Sequence, residues 1–146
     1  MATSFQVVID CADPDGLARF WAEALGYRLQ PPPEGFGSWE ELLRAREVPE
    51  DQWNSASAVV DPEGRGPRIY FQRVPEPKAV KNRVHLDLNV SGAREASDDD
   101  RRAAVEAAAA RLVGLGATVL KPGATGRFGE YWAVMADPEG NEFCLQ

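Results

Sequence analysis

His85 is the one histidine in 146 residues, and Asp87 follows it two positions later in "VHLDLNV". In a strand, residues i and i+2 point to the same face, so this spacing brings an imidazole and a carboxylate together. A neighbouring carboxylate raises a histidine pKa and orients the ring as a general base. The same spacing also suits a histidine hydrogen-bonded within a sheet, with Asp87 paired to a nearby Arg or Lys. A single histidine excludes every mechanism that needs two imidazoles from one chain.

Cys144 is the other group with reactive chemistry. A thiolate nucleophile needs adjacent positive charge or a base, and a strand cysteine is otherwise a small packing residue. Its only companion, Cys11, is far away in the chain, so no disulfide framework is expected. Aromatic side chains supply the binding candidates. Trp39 and Trp53 lie in the stretch 31–53, and Trp132 precedes the chain's last turn beside Tyr131. Rings near a cavity mouth stack on planar or cationic ligands. The cluster "KAVKNR" (78–83) reads as a solvated linker or as an anchor for an anionic group or a partner. The net charge of −7 argues against nucleic acid, which needs clustered Lys and Arg. It suits a neutral or cationic ligand, or serves solubility alone. No stretch approaches the roughly 20 apolar residues of a membrane span, and no export signal is visible. A cytoplasmic protein is the expectation.

The elements that must position these residues come as a repeat. "VVDPEGRGPRIYFQ" (59–72) and "VMADPEGNEFCLQ" (134–146) spell one DPEG turn twice, each followed by a short apolar strand. Residues 5–11 ("FQVVIDC") and 84–90 ("VHLDLNV") both alternate with the period of a half-buried strand. A helix follows each. The first opens at Asp13 with Pro14 in the first turn, carries the stripe Leu17, Phe20, Trp21, Ala24 and Leu25, and ends at Gly26. The second opens near "SDDD", carries Val105, Ala108, Leu112 and Leu115, and ends at Gly116. Short strands follow in "YRLQ" and "ATVLK". Five elements recurring in one order mark a duplicated unit. The first copy holds an insertion, 31–53, with a short helix expected over 38–46; it serves as a lid or covers an edge. In the last strands Ile69, Phe71, Phe143 and Leu145 are expected on the helix side. Arg68, Tyr70, Gln72, Glu142, Cys144 and Gln146 then face the other way.

The paired modules, "ARFWAEALGY", "HLDLNV" and the closing "DPEGNEFCL" resemble the vicinal oxygen chelate superfamily of glyoxalase I, extradiol dioxygenases and bleomycin-resistance proteins. The combination of "VVIDCADPDGLARFWAEALGY", "RIYFQRVPEPKAVKNRVHLDL" and "DPEGNEFCLQ" is most similar to its glyoxalase-like branch common in actinobacteria. The resemblance implies an α+β fold in which two βαβββ modules form one cupped mixed sheet around a cavity. It implies a single domain over 1–146: module one 4–74, linker 75–83, module two 84–146. It also implies four matched metal-ligand places. Two are Gln6 and His85 in the first strands. The others are Cys144, four residues past Gly140, and Tyr70, displaced by the insertion in "RGP".

Glyoxalases carry glutamate at both last-strand places, to take the proton alpha to a carbonyl and to hold a hard metal in oxygen ligands. Neither is glutamate here. An Fe(II) site of two histidines and a carboxylate is out of reach of one histidine. The resemblance thus implies a dismantled metal site, with no metal and no cofactor. Gln6, His85, Cys144 and the out-of-place Glu142 remain as a weak Zn²⁺ set. The expected function is small-molecule binding, sequestering an antibiotic-like ligand through Gln6, Tyr70, Gln72, Trp39, Trp53, Trp132 and Cys144. The alternative is a metal-independent isomerase or lyase using His85 with Asp87 or Cys144, and a metal-dependent glyoxalase-type lyase is third. A homodimer is expected, because superfamily members often dimerise and exposed sheet edges permit it.

Overall fold

In the first module, β1 spans Val7–Cys11 rather than the expected 5–11: Phe5 lies ahead of it and is exposed, and the alternation holds from Val7 onward. Cys11 is buried, Val7 and Ile9 are half-buried, and Val8 and Asp10 are exposed. The chain then enters α1 (Pro14–Leu25), where Asp13 caps the helix by accepting the Gly16 N–H at 3.2 Å. Leu17, Phe20, Trp21 and Ala24 are buried on its stripe, and Phe20 meets Trp21 edge-on at 5.6 Å. Gly26 closes the helix at φ 68°, a left-handed conformation that glycine adopts without steric cost.

β2 (Arg28–Leu29), β3 (Ala56–Val60) and β4 (Ile69–Arg73) complete a four-stranded sheet in the order β1-β4-β3-β2, with β1 and β4 parallel. The insertion between β2 and β3 holds α2 (Trp39–Ala45), capped by Ser38, and a 3-10 segment over Glu50–Ser55. Asn54 ties its end to the start of α1, accepting the Asp15 N–H at 2.9 Å and donating to Asp13 at 2.7 Å.

The structure, a computed structural model, describes residues 1–92 and 96–146, in two compact units, Met1–Pro77 and Lys78–Gln146. The second unit repeats the plan. β5 (Asp87–Leu88), α3 (Asp98–Gly114), β6 (Thr118–Thr125), β7 (Tyr131–Ala136) and β8 (Glu142–Leu145) form a sheet in the order β5-β8-β7-β6, again with the first pair parallel. The α+β class and the two βαβββ modules are as expected, one four-stranded mixed sheet to each.

Two further details differ from the sequence pattern. The strand expected over 84–90 is regular only at Asp87–Leu88. Its partner β8 is four residues long, so the ladder runs out; Leu86 and Val90 add single backbone bonds at each end. The stripe of α3 stops at Leu112, because the helix ends at Gly114 and Leu115 is an exposed cap residue. Among the described residues no helix is long and apolar enough to cross a membrane.

The face assignment of the last strands follows the alternation. Ile69, Phe71, Phe143 and Leu145 are 0–2% exposed, whereas Arg68, Tyr70, Gln72, Glu142, Cys144 and Gln146 are half-buried or exposed. Truncating a fully buried phenylalanine forfeits both transfer energy and packing. Phe143→Ala is therefore expected to lower stability by about 3–5 kcal/mol. Gln72→Ala on the opposite face should change it by less than about 0.5 kcal/mol. Urea unfolding of the two variants measures the contrast.

Candidate functional site

In the second unit, parallel pairing sets Asp87 of β5 directly beside Cys144 of β8. His85 lies two residues before Asp87, and its Nε2 is 3.2 Å from Asp87 Oδ1. The donor atoms of His85, Asp87 and Cys144 all lie within 4.8 Å of one another. Both partners of the His85–Asp87 pair are more than 40% exposed, which limits the strength of the bond between them. Burial, then the Asp87 carboxylate, pushes the Cys144 thiol above its ordinary pKa, against a smaller opposing pull from Lys81. The thiol is thus held protonated, the reverse of what a nucleophilic cysteine needs.

Glu142, on the same face of β8, is committed to structure. Its carboxylate accepts the Asn82 N–H at 3.0 Å and pairs with Lys78 at 3.2 Å, while Asn82 Nδ2 donates to the Glu142 carbonyl. The Asn82 bond, with help from Lys78, holds its pKa down to about 2. The basic stretch before His85 is therefore fastened to β8 through Glu142, and Glu142 is not a spare ligand. Trp132 is half-buried on β7, on the face opposite to buried Ala133.

In the first unit, the matching register pair is Val8 with Tyr70. Gln6 precedes Val8 as His85 precedes Asp87, so Gln6 and Tyr70 occupy the places of His85 and Cys144. Between them lies Arg68, which sequence reasoning placed on this face but did not count among the site residues. Arg68 Nη1 donates to Gln6 Oε1 at 2.8 Å and Nε donates to Gln30 Oε1 at 2.6 Å. Its Cζ is 5.0 Å from the centroid of the Tyr70 ring, within cation–π range.

Gln30 was also overlooked; it extends the sheet beyond β2 through its N–H to Ala58. Trp39 joins this group by donating from Nε1 to the Gln30 carbonyl at 2.7 Å. Trp53 serves the insertion itself, with Nε1 bound to the Val48 carbonyl at 2.9 Å and Arg44 over its ring. Gln72 is exposed at the end of β4. The only signal for Arg68 was its parity with Tyr70; nothing in the sequence announced Gln30 as its partner.

A divalent metal of the kind the resemblance implies takes ligands from both last-strand places. The residues do not fit it. Gln6 and Tyr70 are both engaged by a guanidinium, a cation already in place. Cys144 offers a thiol, a soft donor, where the resemblance implies a carboxylate. His85, Asp87 and Cys144 alone are donors of a type that suits a borderline cation such as Zn²⁺.

The model of the glyoxalase-like domain family matches residues 6–146. Comparison with curated protein sequences gives no significant match. Among solved structures, a glyoxalase/bleomycin resistance protein/dioxygenase family enzyme from Burkholderia phytofirmans is similar, with TM-score 0.63 at 17% identity over 96% of this chain and 94% of that one. A superfamily member from Sphaerobacter thermophilus gives 0.60 at 16% over 99% and 96%. A mutant of the fosfomycin resistance protein FosX from Listeria monocytogenes, complexed with Mn(II) and 1S,2S-dihydroxypropylphosphonic acid, gives 0.61 at 10% over 100% and 92%. At these identities the likeness shows the fold.

Two expectations follow from these shifted pKa values. Removing the Asp87 charge in Asp87→Asn should lower the Cys144 pKa and speed its alkylation by iodoacetamide near pH ~8, with buried Cys11 as the unreactive reference. Glu142 is lowered from its ordinary 4.5 to about 2 in the fold. A depressed carboxylate stabilises above its unfolded pKa, and that stabilisation is lost as pH falls through the folded value. The Tm gap between wild type and Glu142→Gln should be full at neutral pH and close between about pH 5 and about 2.

Proposed function

Because this chain belongs to the glyoxalase-like domain family, we propose that it is a cytoplasmic small-molecule binding protein whose ancestral metal site has been dismantled. The observation that carries this reading is Arg68. Two of the four places at which metal-using relatives hold their ion are here the amide that receives Arg68 and the ring beneath it. A divalent cation would meet a fixed like charge there and no carboxylate. The ligand-facing residues are Gln6, Tyr70, Gln72, Trp39 and Trp53 on the first unit and Trp132 and Cys144 on the second. Sequestration of an antibiotic-like compound fits a site that has kept its aromatic surfaces and lost its catalytic acids, and a homodimer is the assembly we assign to it.

A second reading rests on the His85–Asp87 pair at 3.2 Å, which suits a metal-independent isomerase or lyase. The two readings separate on His85→Ala. A binding protein keeps its affinity within about tenfold, whereas an enzyme loses turnover by orders of magnitude.

The decisive test is metal content of protein purified without chelator or affinity tag, followed by titration with Zn²⁺, Ni²⁺, Mn²⁺ and Fe²⁺ while Tm is recorded. A bound ion raises Tm by mass action. We expect no stoichiometric metal and an unmoved Tm. A stoichiometric metal, or a rise that disappears in His85→Ala, would overturn the reading and restore a metal-dependent lyase.

A further inference from the structure

The arginines of the first unit differ in partner and in burial. Arg19 pairs with Asp15, and Arg65 with Glu63. Arg73 donates to the Asp51 carbonyl and Ser55. Arg68 is different. It is half-buried, its two hydrogen-bond partners are the neutral amides of Gln6 and Gln30, and a ring supports its face. Among the described residues no carboxylate forms an ion pair with it, and Nη2 donates to nothing.

The second unit offers the contrast. The register place equivalent to Arg68 is Glu142, and there the charge is matched by Lys78. The duplicated fold thus neutralises the charge at this place in one unit and leaves it uncompensated in the other. That difference arises in a chain with 23 acidic and 16 basic residues, where a carboxylate partner would be easy to supply.

We propose that Arg68 is an oxyanion-recognition residue, and that the small molecule bound by this protein carries a carboxylate or phosphonate group. The inference rests on the small-molecule reading above and deepens it. Guanidinium is planar and matches such groups through two parallel N–H donors. Anchoring by Gln6 and Gln30 removes the rotamer entropy that binding would otherwise cost, and neutral anchors leave the positive charge available. Tyr70 holds the plane of the fork and adds an aromatic surface for the ligand body. The net negative charge of the whole chain then acts at longer range, where salt screens it.

The test uses the full chain and four probes: benzoate and phenylphosphonate as oxyanions, benzamide as the neutral shape match, and benzylammonium as the cation. Binding is followed by calorimetry and by chemical-shift changes. The two oxyanions should bind the wild type, weaken as salt rises, and exceed benzamide by about tenfold or more, the worth of one charge-assisted contact. Arg68→Lys keeps the charge but not the fork and should lose about tenfold in affinity; Arg68→Gln should lose oxyanion binding altogether. Tm reports whether each variant is folded, and Arg68→Lys remains informative if Arg68→Gln is not. Oxyanion binding that survives in both variants, or absence of oxyanion binding in the wild type, overturns the assignment. Benzamide or benzylammonium binding that is indifferent to Arg68 would overturn it too, while leaving the small-molecule reading in place.

Discussion

Burying alternate residues of β4 and β8 is the constraint on which the rest depends. Each four-stranded sheet has one helix to cover it, α1 in the first unit and α3 in the second. Ile69, Phe71, Phe143 and Leu145 supply the apolar area on the covered side. With a side-chain period of two, that burial dictates what the other face displays. Tyr70 and Cys144 cannot turn inward without pulling a phenylalanine into water. The chemistry open to this protein is therefore limited by its packing. A slip of one residue would exchange a thiol and a phenol for two benzyl groups.

The register is pinned by the repeated aspartates that open the DPEG turns. Asp61 accepts the backbone N–H groups of Glu63, Arg65 and Gly66, and these bonds lower its pKa. Asp137 accepts those of Glu139 and Asn141, along with the Asn141 side chain. Gly64 at φ 69° and Gly140 at φ 88° provide the left-handed step in each turn. The extra residues of "RGP" lengthen the first turn without moving the phase of β4. Gly66 makes room for this, since a Cβ there would strike the Tyr27 hydroxyl.

What could be read from sequence was local and periodic. The caps of α1 and α3, the strand alternation, the doubled module and the faces of β4 and β8 each depend on residues a few positions apart. Phe143 against Cys144 needed only parity. What escaped was contact between distant segments. Arg68 and Gln30 are joined across 38 positions, and Glu142 and Asn82 across 60; no spacing rule links them. The stretch "KAVKNR" reads as a solvated linker or as an anchor for an anionic group or a partner, and the anion it meets is the chain's own Glu142. The bond from the Trp53 indole N–H to the Val48 carbonyl, which closes the segment 48–53, had no signal of its own in the sequence.

Duplication also explains why the two units carry different chemistry on one frame. Equivalent places hold Gln6 and His85, Arg68 and Glu142, Tyr70 and Cys144. The first of each pair makes a cationic, hydrogen-bonding, aromatic surface, and the second an acidic one with a thiol and an imidazole. Here one copy holds a guanidinium fixed by two hydrogen bonds to amide oxygens and a ring contact, and the other holds a thiol whose pKa is raised by burial and by its neighbour Asp87. The same packing rule that keeps these side chains on the open faces leaves their identity free to change. A change of side chain at these places therefore leaves the packing of β4 and β8 intact.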